Sequence, residues 1–339
     1  MRPLVLLDPA PRTATEILSP LRRERLEAAF EVVERGDASP AEFLAEHLSR
    51  ASFVVGQTPL DAETIERAPR LRAVINVEGN FLPNVDYQAC FRHGVRVLTI
   101  SPVFARPVAE LALGLTLALA RDIHGAHADF AAGRERYGLD GNHAARLVAG
   151  GTLGFVGFGD LGRAIHALFA GFRCRTLVHD PWLSADVLAR DGFEPASLAD
   201  VLRASDVVQV VAAVTDESRH LIGATELALM RPGASLVLLS RADVVDFPAL
   251  LDACREGRVR AATDVFPDEP LAPDHPARAT PNLLLSAHRA GALDSALLEI
   301  GERVVGDLEL MAAGLPPQNC KRAEPELVGR SRSRPVAKS

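Results

Sequence analysis

Cysteine is scarce in this chain: the 339 residues contain four, at Cys90, Cys174, Cys254 and Cys320. They lie far apart and none forms a CxxC pair, which argues against a disulfide frame and a thiolate zinc site and fits reduced thiols in a cytoplasmic protein. An excess of positive charge is missing too, with 37 lysines and arginines against 44 acids and a net charge of −7. That disfavours nucleic acid or another polyanion as the main partner, although one small anion held by one or two arginines stays compatible. No apolar run reads as long enough to cross a bilayer, so no membrane partner is expected. The apolar start Leu4–Leu7 is cut off by Asp8 and is too short for a signal peptide. Internal repeats and low-complexity tracts are absent as well. What the chain has is an ordinary globular composition, 48% hydrophobic and 24% charged, over a length that suggests two domains.

Short apolar runs alternate with helical periodicity. Leu4–Leu7, Phe53–Val55, Leu71–Val77 and Val95–Ile100 read as buried strands, and Pro20–Phe30, Ala41–Leu48 and Asp61–Arg67 as helices. This alternation predicts a parallel sheet covered on both faces. Pro107–Arg121 is apolar nearly all round and reads as a helix buried between two domains. A looser stretch, Gly125–Gly151, precedes a second alternation with strands at Thr152–Val156, Thr176–His179, Asp206–Val214, Ser235–Leu239, Ala261–Val265 and Leu283–Ser286. That is enough for a doubly wound nucleotide-binding domain. A last helix, Ala292–Ala313, leads into a polar tail, Lys321–Ser339, read as a frayed, solvated end.

The glycines at 157, 159 and 162 form GxGxxG between the strand Thr152–Val156 and the following helix. Gly157 permits the tight turn, Gly159 lets backbone approach a pyrophosphate, and Gly162 lets helix and strand pack closely. The helix opening at Asp160 and Leu161 would aim its free N–H groups at the diphosphate. Asp180 ends the next strand, eighteen residues beyond Gly162. A carboxylate there can accept from the ribose hydroxyls, and it would repel a 2′-phosphate, so NAD is expected over NADP.

Three more chemical groups close strands further on: Arg241, Glu269 and His288. Taken singly they read as an ion-pair arginine, a loop acid before proline and a strand-end histidine. Together they suit one reaction centre. A guanidinium grips a carboxylate two-pronged, a histidine exchanges protons near neutral pH, and a carboxylate beside it favours the imidazolium. No histidine stands at trusted metal-ligand spacing from a carboxylate, so no metal is expected.

These segments, with Ser240-Arg241, Asp264-Val265-Phe266, Glu269-Pro270-Leu271 and Ser286-Ala287-His288-Arg289, resemble the NAD-dependent D-specific 2-hydroxyacid dehydrogenases. The resemblance covers residues 70–315 well and the start of the chain only by pattern. It implies an α/β fold of two doubly wound parallel-sheet lobes: a Rossmann NAD domain at 105–298, and a flavodoxin-like substrate domain at 1–104 with the returning 299–339. It also implies hydride transfer between the cofactor and a small 2-keto or D-2-hydroxy acid. His288 would be the acid–base, Glu269 its support, Arg241 the substrate-carboxylate anchor and Asp264 the nicotinamide contact. The family is usually dimeric, which makes a homodimer the expectation, with Pro107–Arg121 able to supply an interface. A corepressor-like scaffold that senses the dinucleotide without turnover is the rival reading.

The departures from the family pattern lie on the substrate side. The substrate loop reads Gly79, Asn80, Phe81 where Gly-x-Gly is common, with Glu78 before it. Phe104 replaces a frequent asparagine, Ala242 a glycine, and Val211 and Ala213 a histidine and a proline. These changes predict intact hydride chemistry with a reshaped acyl pocket. Glu78, Arg106 and Arg289 read as ordinary solvated or interface charges.

Overall fold

The structure, a computed structural model, describes residues 2–332. It divides into two compact units, residues 2–104 with 292–332, and residues 105–291. The first crossing falls at the expected 104/105. The return comes at 291/292, seven residues before the expected 298/299, because the long helix Asp294–Ala312 packs against the first unit from its first turns, burying Ala296 and Ile300.

In the first unit, β1 (Leu4–Asp8), β2 (Glu31–Glu34), β3 (Ala51–Gly56), β4 (Ala73–Asn76) and β5 (Arg96–Thr99) form a parallel sheet in the order 5-4-3-1-2. This is the flavodoxin-like order the resemblance implied. The central strands are buried end to end because helices cover both faces, and each fully buried leucine or valine adds roughly 1.5–3 kcal/mol. Part of the tail departs from the reading as a frayed end. Lys321–Arg322 pairs antiparallel with β5, Cys320 and Ala323 are buried, and Pro325–Val328 is helical; residues 333–339 lie outside the described residues. Asp307, fully buried in the long helix, ties the segment down by accepting the amides of Gln318, Asn319 and Cys320.

The second unit holds β6 (Thr152–Val156), β7 (Arg175–His179), β8 (Glu194–Pro195), β9 (Val207–Val210), β10 (Ser235–Leu238), β11 (Arg260–Thr263) and β12 (Leu283–Leu285). All are parallel, in the order 12-11-10-9-6-7-8. This is the Rossmann order with one added strand, and the strand order reverses between β6 and β9. The stretch read as loose, Gly125–Gly151, opens inside a helix, Ile123–Ala131.

The apolar helix Ala105–Arg121 continues from the turn Ser101–Phe104, and the joined Ser101–Arg121 is long and apolar enough, by length and composition, to cross a membrane. The run that starts at Pro107 in the sequence falls short of this length, and the preceding turn and helical start supply the rest. Half of its apolar window is buried inside the protein. Within the second unit the helix lies on the helix Asp160–Leu168 and on β10 and β11, and the buried hydroxyl of Thr116 accepts from the Gln209 amide at 2.9 Å. A buried polar pair with a sheet strand is what a core helix makes.

Candidate active site

The carboxyl edge of the second unit's sheet gathers the groups singled out in the sequence. At the end of β6, Gly157 has φ +85°, and a Cβ there would stand 2.5 Å from the Ala212 backbone, so no other residue fits. Gly159 is exposed, with nothing within 4 Å of where a side chain would begin, and the helix Asp160–Leu168 starts immediately after it. The result is open space over exposed backbone at a helix N-terminus, which suits a pyrophosphate. Gly162 packs directly beneath, where a Cβ would come 2.9 Å from the Phe158 ring.

The sequence reading passed over Phe158. Its fully buried ring lies edge-on to Phe155 at 5.1 Å and to Phe193 at 4.6 Å, and His166 in turn lies 4.8 Å from Phe193. This aromatic cluster underpins the glycine turn. Its signal was one apolar residue set between two glycines of the motif.

Asp180, at the end of β7, accepts the Phe158 amide on Oδ2 at 2.8 Å and the Trp182 amide on Oδ1 at 2.9 Å. The acid is therefore fixed beside the turn and its carboxylate is oriented from two sides. Asp160 is half-buried in the first helical turn, where a negative charge offsets the helix dipole, and Leu161 is half-buried beside it.

At the ends of β10, β11 and β12 the other groups converge. His288 Nδ1 meets Glu269 Oε2 at 2.5 Å, and Glu269 Oε1 accepts the Phe266 amide at 2.9 Å. Burial alone would push the Glu269 carboxyl up. The His288 hydrogen bond, the Phe266 amide and the His288 and Arg241 charges outweigh it and hold the pKa below the ordinary glutamate value. Glu269 is thus the acceptor, which puts the Nδ1 proton on His288 and leaves Nε2 for chemistry. Arg241 is half-buried, gives one N–H to the Ser240 carbonyl at 2.8 Å, and lies near enough to Glu269 for its charge to be felt there.

Asp264, the residue expected to contact the nicotinamide, directly follows β11 on the same edge. It is 1% exposed, and its carboxylate takes the Ser286 hydroxyl and the amides of Arg289 at 3.0 Å and Ala290 at 2.9 Å. Its carbonyl also accepts the His288 amide at 2.7 Å. Together these bonds hold His288 at φ +48°, a left-handed conformation that a residue with a Cβ keeps only when its surroundings enforce it. Ser286, which the sequence reading quoted without a role, completes this clamp.

On the first unit, Gly79 has φ +83° and its carbonyl accepts the Thr99 hydroxyl, while Asn80 Oδ1 accepts the Phe81 amide at 2.9 Å. Phe81 departs from the expectation that its bulk reshapes a pocket. The ring is 3% exposed, lies edge-on to Tyr87 at 6.3 Å and belongs to the unit's core. Glu78 is not a solvated charge either, since it pairs with Arg12 Nε at 2.5 Å. Phe104 packs its ring near Gly79, 3.8 Å from where a Cβ on that glycine would stand. Arg106 and Arg289 are exposed, as read.

A glycine-turn nucleotide cradle and a carboxylate-held histidine along one parallel edge define a dinucleotide-dependent dehydrogenase. The comparisons make the class specific. Residues 113–290 match the family model described as D-isomer specific 2-hydroxyacid dehydrogenase, NAD binding domain. The chain is 35% identical to a glyoxylate reductase of Aeropyrum pernix over 78% of its own length and 80% of the relative's. It is 34% identical to a D-3-phosphoglycerate dehydrogenase of Mycobacterium leprae over 78% of its length, spanning about half, 49%, of that longer protein. A solved phosphoglycerate oxidoreductase from Rhizobium etli is 49% identical, with a TM-score of 0.86 over 95% of this chain and 99% of that one. The chain belongs to the D-isomer specific 2-hydroxyacid dehydrogenases, and it is an NAD-dependent enzyme of that family.

Proposed function

We propose that this enzyme interconverts a small 2-keto acid and the matching D-2-hydroxy acid, with His288 as acid–base, Glu269 as its positioning residue and Arg241 as the anchor for the substrate carboxylate. The observation that carries this reading is the His288–Glu269 contact at 2.5 Å with the Arg241 charge beside it. NAD, when bound, exchanges a hydride with substrate carbon 2. Ionised Glu269 keeps the Nδ1 proton in place and stabilises the imidazolium, so Nε2 gives a proton to the carbon-2 oxygen in reduction and takes it in oxidation. Arg241 offers a planar fork matched to a carboxylate and draws electron density from the adjacent carbonyl. Gly157, Gly159 and the Asp160 amide end would hold the diphosphate, and Asp180 the adenosine ribose.

The names of the relatives, glyoxylate reductase and phosphoglycerate oxidoreductase, make short and phosphorylated 2-keto acids the first candidates. The test is steady-state NADH oxidation with a panel of 2-keto acids. Turnover that collapses in His288→Ala supports the reading. NADH binding with no turnover of any acid would overturn it in favour of the dinucleotide-sensing scaffold. A cytoplasmic setting is proposed with it, on the wide spacing of the four cysteines, and cell fractionation checks it. The homodimer also stands as a proposal, and its support moves from the helix Ala105–Arg121, whose apolar face is largely taken inside its own unit, to the segment that follows it.

A further inference from the structure

The amino edge of the second unit's sheet, the end away from Gly157 and His288, carries a cluster of arginines that the reaction does not use. Thr152, Val207, Ser235 and Arg260 open β6, β9, β10 and β11 on this edge. Arg260, with a side chain 16% exposed, donates to the Ala144 carbonyl at 3.3 Å and lies 3.4 Å from Asp122 Oδ1. Arg231 pairs with Asp206 Oδ1, and the other oxygen of Asp206 accepts the Thr152 amide at 2.8 Å.

The third member, Arg146, is half-buried and its guanidinium lies over Gly233, where a Cβ would stand 2.6 Å from Nη2. Gly233 has φ +77°, so both its backbone and its missing side chain suit this seat. Among the described residues the Arg146 guanidinium makes no hydrogen bond and no ion pair, while both of its arginine neighbours do. Burial and the Arg260 and Arg231 charges pull its pKa below the ordinary arginine value against the pull of Asp206. Three guanidiniums thus share two carboxylates, and the uncompensated charge, like that of Arg260, is partly withdrawn from water. Such a charge is costly unless a counter-ion meets it.

We propose that Arg146, with Arg231 and Arg260 beside it, binds a small oxyanion of the phosphate type at this edge, separate from the reaction centre. A tetrahedral oxyanion offers the paired oxygens that a guanidinium fork accepts, and it balances the local excess of one positive charge. The chain's overall negative charge does not oppose this, because screening limits that field to about 10 Å at ordinary salt.

Inorganic phosphate is the probe, added at constant ionic strength with saturating NADH, and Tm is the readout. Wild type should gain stability saturably at millimolar phosphate. Arg241→Gln should keep that gain, which separates this site from the substrate anchor. Arg146→Gln should lose the gain, be at least as stable as wild type without phosphate, and turn over keto acid within twofold of wild type. Should Arg146→Gln not fold, Arg146→Lys keeps the charge without the fork and should weaken phosphate binding at least tenfold by calorimetric titration. Equal gains in wild type and Arg146→Gln, or none in wild type, overturn the proposal. So does an Arg146→Gln variant that shifts from dimer to monomer by light scattering without a phosphate effect, which would make a carboxylate of a second copy the counter-ion.

Discussion

His288 Nδ1 and Glu269 Oε2 stand 2.5 Å apart although nineteen residues and the strand β12 separate them, and Asp264 clamps the loop that carries the histidine. The contact gives His288→Ala and Glu269→Gln distinct signatures. Removing the imidazole should lower kcat by about 10²–10⁴-fold, the usual span for a lost acid–base group. NADH affinity should stay near that of wild type. Glu269→Gln keeps an acceptor for Nδ1–H but not the charge, so its kcat should fall between the two. Stopped-flow single turnovers with separate NADH titrations check this, and a parallel loss of NADH binding in His288→Ala would count against the assignment.

Arg241 differs from lysine by its fork rather than its charge. Arg241→Lys should raise KM for the keto acid about tenfold, or about 1.4 kcal/mol, with a smaller change in kcat. Arg241→Gln should lose more of both. Unchanged KM in either variant would mean that another group holds the substrate carboxylate.

Trp182 is the only tryptophan in the chain and sits beside Asp180, giving that carboxylate its amide. NADH binding should therefore quench the intrinsic fluorescence, and Trp182→Phe should abolish the signal without abolishing turnover. Asp180→Ala should reduce the preference for NADH over NADPH at least tenfold. Part of its loss in NADH affinity should come from the glycine turn, because the Phe158 amide loses its acceptor.

His166 lies against Phe158 and Phe193, and burial lowers its pKa from the ordinary 6.5. For a base depressed in the folded state, the unfolded chain binds more protons below that value. Stability is therefore full above about pH 6.5 and declines as pH falls through the folded pKa. Tm should drop between pH 7 and 5 in wild type more than in His166→Phe. Because the cluster carries the glycine turn, NADH affinity should weaken over the same range; parallel Tm profiles for the two proteins would remove His166 as the cause.

Much of this was legible in the sequence because the fold places chemistry at strand ends. Arg241, Glu269 and His288 each close an apolar run, and a parallel sheet brings such ends to one edge. What could not be read was what a side chain meets in three dimensions. Asp264 and His288 are twenty-four residues apart, so nothing local showed that the acid's oxygens go to the histidine's loop. Phe81 was judged against a glycine and expected to fill a pocket, while its ring turns inward onto Tyr87. Glu78 has its partner, Arg12, on the loop of another strand. The two-residue strand at Lys321 carries no periodic signal, because its pairing to β5 is set by the buried Asp307 cap rather than by its own residues.

The segment after the helix Ala105–Arg121 gives the last prediction. Ile123, Phe130, Tyr137, Leu139 and Leu147 are 55–76% exposed, and the last three are the most exposed large apolar side chains among the described residues. Five such side chains within twenty-five residues make an apolar patch along the chain, the kind of exposure that associating surfaces carry. A second copy covering these side chains would remove apolar area from water, at about 25 cal/mol per Å². Leu139→Asp with Leu147→Asp should then convert a dimer into a monomer by light scattering, with Tm falling and its dependence on protein concentration disappearing. Turnover per chain at saturating substrate should change little, since no residue of the patch belongs to the reaction centre. A wild-type protein that is monomeric at micromolar concentration would refute the assignment, as would a double variant that stays dimeric, because charges placed at the centre of a dry interface cannot be accommodated without several kcal/mol of loss.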